Sequence, residues 1–305
     1  MRIGFVGAGN MGGAIVRGYA QSRAMMSDKP DALFVYDSDA EKAAALAKPG
    51  WPINAAGSLA QLVGLCDAIV LCVKPNAIDE VLDLLAALGA GAGKVGGFGA
   101  GAEAQEAQAQ TQESDAPPFA PDANGKLIIS IAAGISIPHI LEKLGARTRV
   151  VRVMPNTPAM VGEGMSALSA PPGLPEGDSA AAEKLFGAVG RAVWVPEELM
   201  DIVTGISGSS PAYAYLYMEG LIQSGVGGGL SKEAATILAA QSTLGAAKMV
   251  LENLGETEPA QLCANVCSPG GTTLEAVKAL EAAGFTGTVK KAALASAAKS
   301  KLMTR

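Results

Sequence analysis

Ile3-Gly4-Phe5-Val6-Gly7-Ala8-Gly9-Asn10-Met11-Gly12 is an apolar strand running into a glycine turn, and Gly13 to Ala20 continues it as helix-forming sequence. In a strand–turn–helix of this spacing each glycine has its own task. Gly7 permits the tight turn, Gly9 lets backbone amides approach a phosphate, and Gly12 allows the helix to pack closely on the strand. The amides at the start of the helix then face a pyrophosphate-sized anion. A GxGxxG motif alone is weak; the flanking strand and helix give it meaning.

Outward from this turn, the alternation of elements continues. Ala32 to Tyr36 reads as a second strand ending at Asp37, and Ala40 to Ala47 as a short helix. Ala68 to Val73, Lys126 to Ala132 and Arg149 to Met154 read as further strands, and Ile78 to Leu88 as a helix. Continuous apolar strands separated by helices predict an α/β, Rossmann-type doubly wound parallel sheet with both faces covered. From about Leu199 the pattern turns wholly helical, rich in Ala, Leu and Met and broken at Gly208-Ser209-Ser210-Pro211, Gly225 to Gly229, Ser268-Pro269-Gly270-Gly271 and Gly284. The expected organisation is a dinucleotide-binding domain over 1–198 and an all-helical domain over 199–305. Ser231 is a plausible N-cap, and Ile237, Leu238, Gln241, Leu244 and Gly245 trace one face of the helix after it, fit for a core or a dimer interface.

A length of 305 residues suits about two domains. The net charge of -6 offers no general positive field to a phosphate backbone, so nucleic acid is not an expected partner. Apolar runs such as Ala68 to Val73 fall far short of the ~20 residues that span a bilayer, so no membrane association is expected. The first strand begins within three residues of Met1, leaving no leader segment ahead of it, which points to the cytoplasm. Cys66, Cys72, Cys263 and Cys267 match neither a disulfide framework nor a CxxC site, and the lone His139 cannot build a His/Cys zinc cluster; no metal is expected. Those thiols read as buried or inert, and His139 as a structural residue at a loop-to-helix junction. Between Gly89 and Gly125 the composition shifts to Gly, Ala, Gln, Glu and Pro, an insertion with little apolar surface to offset its ordering entropy. It is expected to be a mobile surface excursion.

A second loop, Ser268-Pro269-Gly270-Gly271-Thr272-Thr273-Leu274-Glu275, reads as a glycine turn feeding a helix, with Thr272 and Glu275 at capping-box spacing. If Thr272 is the N-cap, free amides and helix dipole converge on a seat for a small carboxylate. An ordinary interhelical turn is the equal alternative from these residues alone.

The chain resembles the pyrroline-5-carboxylate reductases, enzymes that make proline from its cyclic imine. The resemblance rests on GAGNMG, on Val73-Lys74-Pro75, and on Arg152-Val153-Met154-Pro155-Asn156-Thr157-Pro158 with Val161-Gly162-Glu163-Gly164. The fourth stretch is SPGGTT followed by Gly284-Phe285. It covers nearly the whole chain except the insertion. It implies NADH or NADPH as cofactor, 1-pyrroline-5-carboxylate as substrate, and a helical domain that pairs two subunits into a homodimer, often within a larger ring of dimers. By resemblance, the cofactor phosphates meet Val6, Gly7, Ala8, Gly9, Asn10 and Met11, with Gly12 completing the motif. Asp37 and Asn54 meet the adenosine ribose, and Cys72, Val73, Lys74, Pro75, Ile131, Ala132 and Ala133 the nicotinamide side; Asn156 is placed beside the cofactor as well. The substrate is implied to meet Glu256, Ser268, Gly270, Gly271 and Thr272, with Thr273 at the ring nitrogen as the candidate catalytic group.

Asp37 lies at the spacing where a carboxylate binds ribose hydroxyls and repels a 2'-phosphate, favouring NADH, yet Ser38 and Lys42 stand ready to receive a phosphate. Both cofactors stay in play. A β-hydroxyacid dehydrogenase is the nearest rival, but that chemistry needs a lysine on the first interdomain helix and Ile202 through Gln223 contains none. A nucleotide-sensing regulator would have no use for the second anion seat. One departure from the family pattern is Ser210, where a glycine is usual.

Overall fold

The computed structural model describes residues 1–24, 31–90 and 125–305. Nearly all of the Gly89–Gly125 insertion read from composition, residues 91–124, lies outside the described residues.

Contacts divide the chain into two units, Met1–Gly208 with Ala297–Arg305, and Ser209–Ser296. The first is built on one sheet. Strands β1 (Arg2–Val6), β2 (Ala32–Tyr36), β3 (Ile53–Ala55), β4 (Ala68–Leu71), β5 (Leu127–Ser130), β6 (Arg149–Met154), β7 (Gly164–Ser169) and β8 (Gly190–Trp194) lie in the order 3-2-1-4-5-6-7-8. The first six are parallel in the dinucleotide-fold order, with Val6 in register with Tyr36 on one side and Leu71 on the other. The sheet is not parallel throughout: β7 runs antiparallel to β6, and β8 runs parallel to β7.

Alternation along the strands explains the layering. Phe5, Val70, Ile129 and Val151 point to one face, against α1 (Asn10–Ala24) and α6 (Glu176–Gly187). Ile69, Leu71, Ile128 and Val150 point to the other, against α3 (Leu59–Leu65), α4 (Ile78–Ala87) and α5 (Ile137–Leu144). Because β4 and β5 are buried along their whole length, they carry no polar alternation at all. Side-chain caps fix where several helices begin: Asp39 caps α2 (Ala40–Leu46), Ser58 caps α3 and Ser136 caps α5.

The break read from sequence at 198/199 sits earlier than the one the contacts make. Met200 is buried in the first unit, and Asp201, on α7 (Met200–Val203), accepts hydrogen bonds from Ser300 (2.7 Å) and Thr304 (3.2 Å). Those bonds also return the end of α12 (Phe285–Met303) to the first unit. A π-helical turn, Thr204–Gly208, follows α7.

The second unit holds α8 (Ser210–Gly227), α9 (Lys232–Glu252), α10 (Pro259–Val266), α11 (Thr272–Ala282) and the first part of α12. Helices α8 and α9 pack closely because Gly225 faces Ala235, where an added Cβ would come within 3.0 Å of the alanine methyl. Ser231 caps α9 by accepting from the Ala234 amide at 3.1 Å. Ser210 fits as the first residue of α8, and no described non-glycine residue has a positive φ. Among hydrophobic residues of this unit only Ala235 and Ala239 are buried, while Leu216, Ile237, Leu238 and Leu254 are largely exposed. Such a run of uncovered apolar side chains sets this unit apart from the first. By length and composition alone, α9 is the one described helix that could cross a membrane.

Candidate functional site

At the carboxyl ends of the parallel strands a cleft of ≈ 450 Å³ opens where the strand order reverses, between the loops after β1 and β4. Open α/β sheets bind ligands at this switch point. Val6, Gly7 and Gly9 form one wall, Asp37, Ser38 and Lys42 a second, and Cys72, Val73 and Lys74 a third.

The three motif glycines have three separate causes. Gly7 adopts φ +105, and a Cβ there would meet the Cys72 carbonyl carbon and oxygen at 2.8 Å, so the β1 and β4 ends cross too closely for any side chain. Gly12 is closed by its own turn: a Cβ would lie 2.3 Å from the Gly7 carbonyl oxygen. Gly9 differs from both. Apart from its two chain neighbours, no atom of the described residues lies within 4 Å of a Cβ added to it. Packing within the protein therefore does not require glycine here, and the open space above it, at the N-terminus of a 15-residue helix with no acidic residue in its first turn, fits a phosphate. The residues present fit a dinucleotide.

Asp37 ties this cradle to β2. Its Oδ2 accepts from the Ala8 amide at 2.7 Å and its Oδ1 from the Asp39 amide at 2.9 Å. The carboxylate thus fixes the glycine loop from behind while lining the cleft. Lys42 pairs with Asp39 at 3.2 Å on the cleft's rim. Cys72, partly buried on the cleft wall, has its thiol pushed well above the usual range by desolvation. Cys66 is buried and pushed up to about 11 by desolvation. Of the thiols read as buried or inert, Cys66 is the buried one, Cys72 and Cys267 are partly buried and Cys263 is exposed.

The other cofactor-side positions divide. Asn54 sits on β3 and donates from Nδ2 to the Leu33 carbonyl at 3.3 Å, away from the cleft lining. Pro75 opens the 3-10 turn Pro75–Ala77 directly after Lys74, and Ile131, Ala132 and Ala133 follow β5, the neighbour of β4. Asn156, buried, uses both polar atoms of its amide on the scaffold: Nδ2 donates to the Ser207 carbonyl at 3.0 Å and Oδ1 accepts from the Met165 amide at 2.8 Å. It joins the β6 end to β7 and to the π-helical turn. Glu80, Val81 and Leu84, on the cleft face of α4, line the site too. Sequence reading missed them because their spacing is that of any amphipathic helix. His139 lies in α5 with Nε2 on Asp79 at 2.6 Å, in a structural role.

In the second unit, the loop after α10 departs from its sequence reading at one residue. Gly271, not Thr272, is the N-cap of α11, in extended conformation, and Thr272 is already helical. Ser268 explains this: the Gly271 amide donates to its carbonyl at 2.9 Å, and a Cβ on Gly271 would lie 2.4 Å from its Oγ. The capping box does not form, and Glu275 instead binds Lys278 at 2.7 Å. No side chain caps α11, so its first-turn amides face outward beside the hydroxyls of Thr272 and Thr273, both exposed. Gly270, at φ +71, turns the chain into this position. Such an end can receive a small carboxylate with dipole and hydroxyls together. Glu256 is exposed in the turn between α9 and α10.

Comparison with known proteins bears on both units. Residues 197–303 match the family described as pyrroline-5-carboxylate reductase dimerisation, and residues 2–95 match NADP oxidoreductase, coenzyme F420-dependent. The chain is 35% identical over 292 residues to the pyrroline-5-carboxylate reductase of Escherichia coli (strain K12), covering 95% of this chain and 94% of that one. It is 33% identical to the Arabidopsis thaliana protein of the same name, over 100% of this chain and 96% of that one. Among solved structures, a pyrroline-5-carboxylate reductase from Coxiella burnetii superposes with a TM-score of 0.81 at 30% identity, covering 100% of this chain and 98% of that one. A pyrroline carboxylate reductase from Plasmodium falciparum with NADP bound gives 0.76 at 31% identity, with the same coverage.

Proposed function

The chain belongs to the pyrroline-5-carboxylate reductase family, and from that membership we propose how its own residues share the work of the reaction. The protein is an oxidoreductase of the CH–NH group that reduces 1-pyrroline-5-carboxylate to L-proline with NAD(P)H, the last step of proline formation. Bound NAD(P)H supplies the hydride for the imine carbon. The C=N electron pair passes to the already protonated ring nitrogen, leaving the secondary amine of proline.

In this reading Val6, Gly7, Ala8, Gly9, Asn10 and Met11 hold the pyrophosphate, with Gly12 keeping the turn tight. Asp37 and Asn54 serve the adenosine end, and Cys72, Val73, Lys74, Pro75, Ile131, Ala132, Ala133 and Asn156 border the nicotinamide end. Ser268, Gly270, Gly271 and Thr272 seat the substrate carboxylate, with Glu256 nearby, and Thr273 hydrogen-bonds the ring nitrogen. A protonated imine is already electrophilic, so orientation is most of what catalysis demands, and no histidine is needed. The observation that carries the substrate assignment is the uncapped first turn of α11, whose amides have no side-chain acceptor of their own.

The second unit is a dimerisation domain. We infer a homodimer formed through the exposed apolar faces of α8 and α9, built into a larger ring of dimers, and a cytoplasmic enzyme without membrane attachment. The decisive experiment supplies 1-pyrroline-5-carboxylate and each reduced cofactor to the purified protein, then follows cofactor oxidation and proline formation together. Cofactor oxidation without proline would reject the assignment.

A further inference from the structure

Residues 303–305 tie together two loops that leave adjacent strands of the sheet. The Arg305 amide donates to the Gly134 carbonyl at 3.0 Å, and its own carbonyl accepts from the Ser136 amide at 3.0 Å. Residue 305 is thereby bonded in both directions to the loop after β5. Gly134 makes room for this passage: it has φ +71, and a Cβ would meet the Met303 carbonyl oxygen at 2.9 Å. The guanidinium then reaches the loop after β4. Its Nη2 donates to the Pro75 carbonyl at 2.7 Å and its Nη1 to Asp79 Oδ2 at 2.8 Å. The other oxygen of Asp79 holds His139 of α5. Ser300 and Thr304, both bonded to Asp201, fix the direction from which the segment arrives.

We propose that Arg305 is a positioning residue for the cofactor, bracing the loops 73–77 and 131–136 so that they hold the nicotinamide end of the dinucleotide. The inference rests on the assignment of those loops to the nicotinamide side. Its physical basis is the fork of the side chain. One planar group satisfies a carbonyl and a carboxylate on the β4 side while its backbone is locked to the β5 side, and a lysine, a point donor on a flexible stem, cannot reproduce both contacts. An ion pair this exposed adds little to folding stability, so the contact's consequence falls on loop geometry.

The test is equilibrium binding to the full chain, by fluorescence and calorimetric titration, of NADPH and NADH and of ADP-ribose and its 2'-phosphate, which lack the nicotinamide. Arg305→Ala should weaken binding of the complete dinucleotides by about three- to tenfold, the worth of one ordered hydrogen bond. Binding of the fragments should stay within about twofold of wild type, because a single neutral bond is the least such a loss can weigh. Arg305→Lys should recover part of the loss, and melting should move by no more than about 4 °C. Unchanged dinucleotide binding in Arg305→Ala overturns the proposal, as does an equal loss for the fragments. Gly9→Ala, run alongside, separates the two layers: if it fails to weaken any of the four ligands, the site assignment itself has failed rather than the brace.

Discussion

Replacing Gly9 by alanine sets a demand of the ligand against a demand of the fold. Beyond its chain neighbours an added methyl meets no atom of the described residues within 4 Å, and Gly9 is not among the glycines with positive φ, so alanine fits the backbone as it stands. Loss of conformational freedom in the unfolded chain should then stabilise the variant by about 0.4–1 kcal/mol. The same methyl stands in the space through which a phosphate must approach the amides of α1. Forfeiting one charge-assisted hydrogen bond costs about 1.5–3 kcal/mol, which is roughly 10- to 150-fold in Kd. Gly12→Ala should behave in the opposite way: its methyl falls 2.3 Å from the Gly7 carbonyl oxygen and 2.8 Å from the Cys72 Cβ. Overpacking against backbone that cannot yield should cost about 1–3 kcal/mol or more of stability. Thermal unfolding and fluorescence titration with NADPH and NADH, on both variants, read the two quantities separately. A Gly9→Ala protein that binds both cofactors as wild type does would refute the reasoning, because the open space would then have no occupant.

Thr273→Ala should lower kcat/KM for the imine by about 1–3 kcal/mol of transition-state stabilisation with little change in cofactor affinity, and steady-state kinetics at saturating NAD(P)H measure it. Asp37→Ser should raise the NADPH-to-NADH ratio of kcat/KM, and since Asp37 also holds the Ala8 amide, it should weaken both cofactors somewhat; an unchanged ratio means the carboxylate does not face the ribose. Asn156→Ala strands the Met165 amide and the Ser207 carbonyl, and should cost about 1–3 kcal/mol, read as a lowered Tm. Near pH 8 the Cys66 thiol, buried and pushed up to about 11, stays protonated, so a thiol reagent should leave Cys66 unmodified until the protein is denatured; peptide mapping of the labelled protein would locate any exception.

Strands buried on both faces were legible as sequence where they are continuous runs of large apolar residues. Ala68-Ile69-Val70-Leu71 can be buried from both faces and has few other uses, whereas β3, three residues long, offers no pattern to read. Strands β7 and β8 escaped for a related reason: one alternates small residues, and the other, at the sheet edge, is mostly exposed and carries Arg191. The glycine cradle was legible too, because a backbone that must approach a phosphate leaves its signature in residue type. Glu80 and Leu84 were not, since only the packing of α4 turns them toward the cleft.

What the sequence alone determined is the set of local constraints: which turns need glycine, which segments must be covered on both faces, and which loop carries hydroxyls at a helix start. Tertiary structure decided what no local rule contains. It committed the amide of Asn156 to the scaffold, with Ser207 as a partner 51 positions away. It also brought Arg305 onto a carbonyl 230 positions away. Local chemistry restricts each residue's own conformations, but partners distant in the chain meet only once the core has fixed where every strand ends.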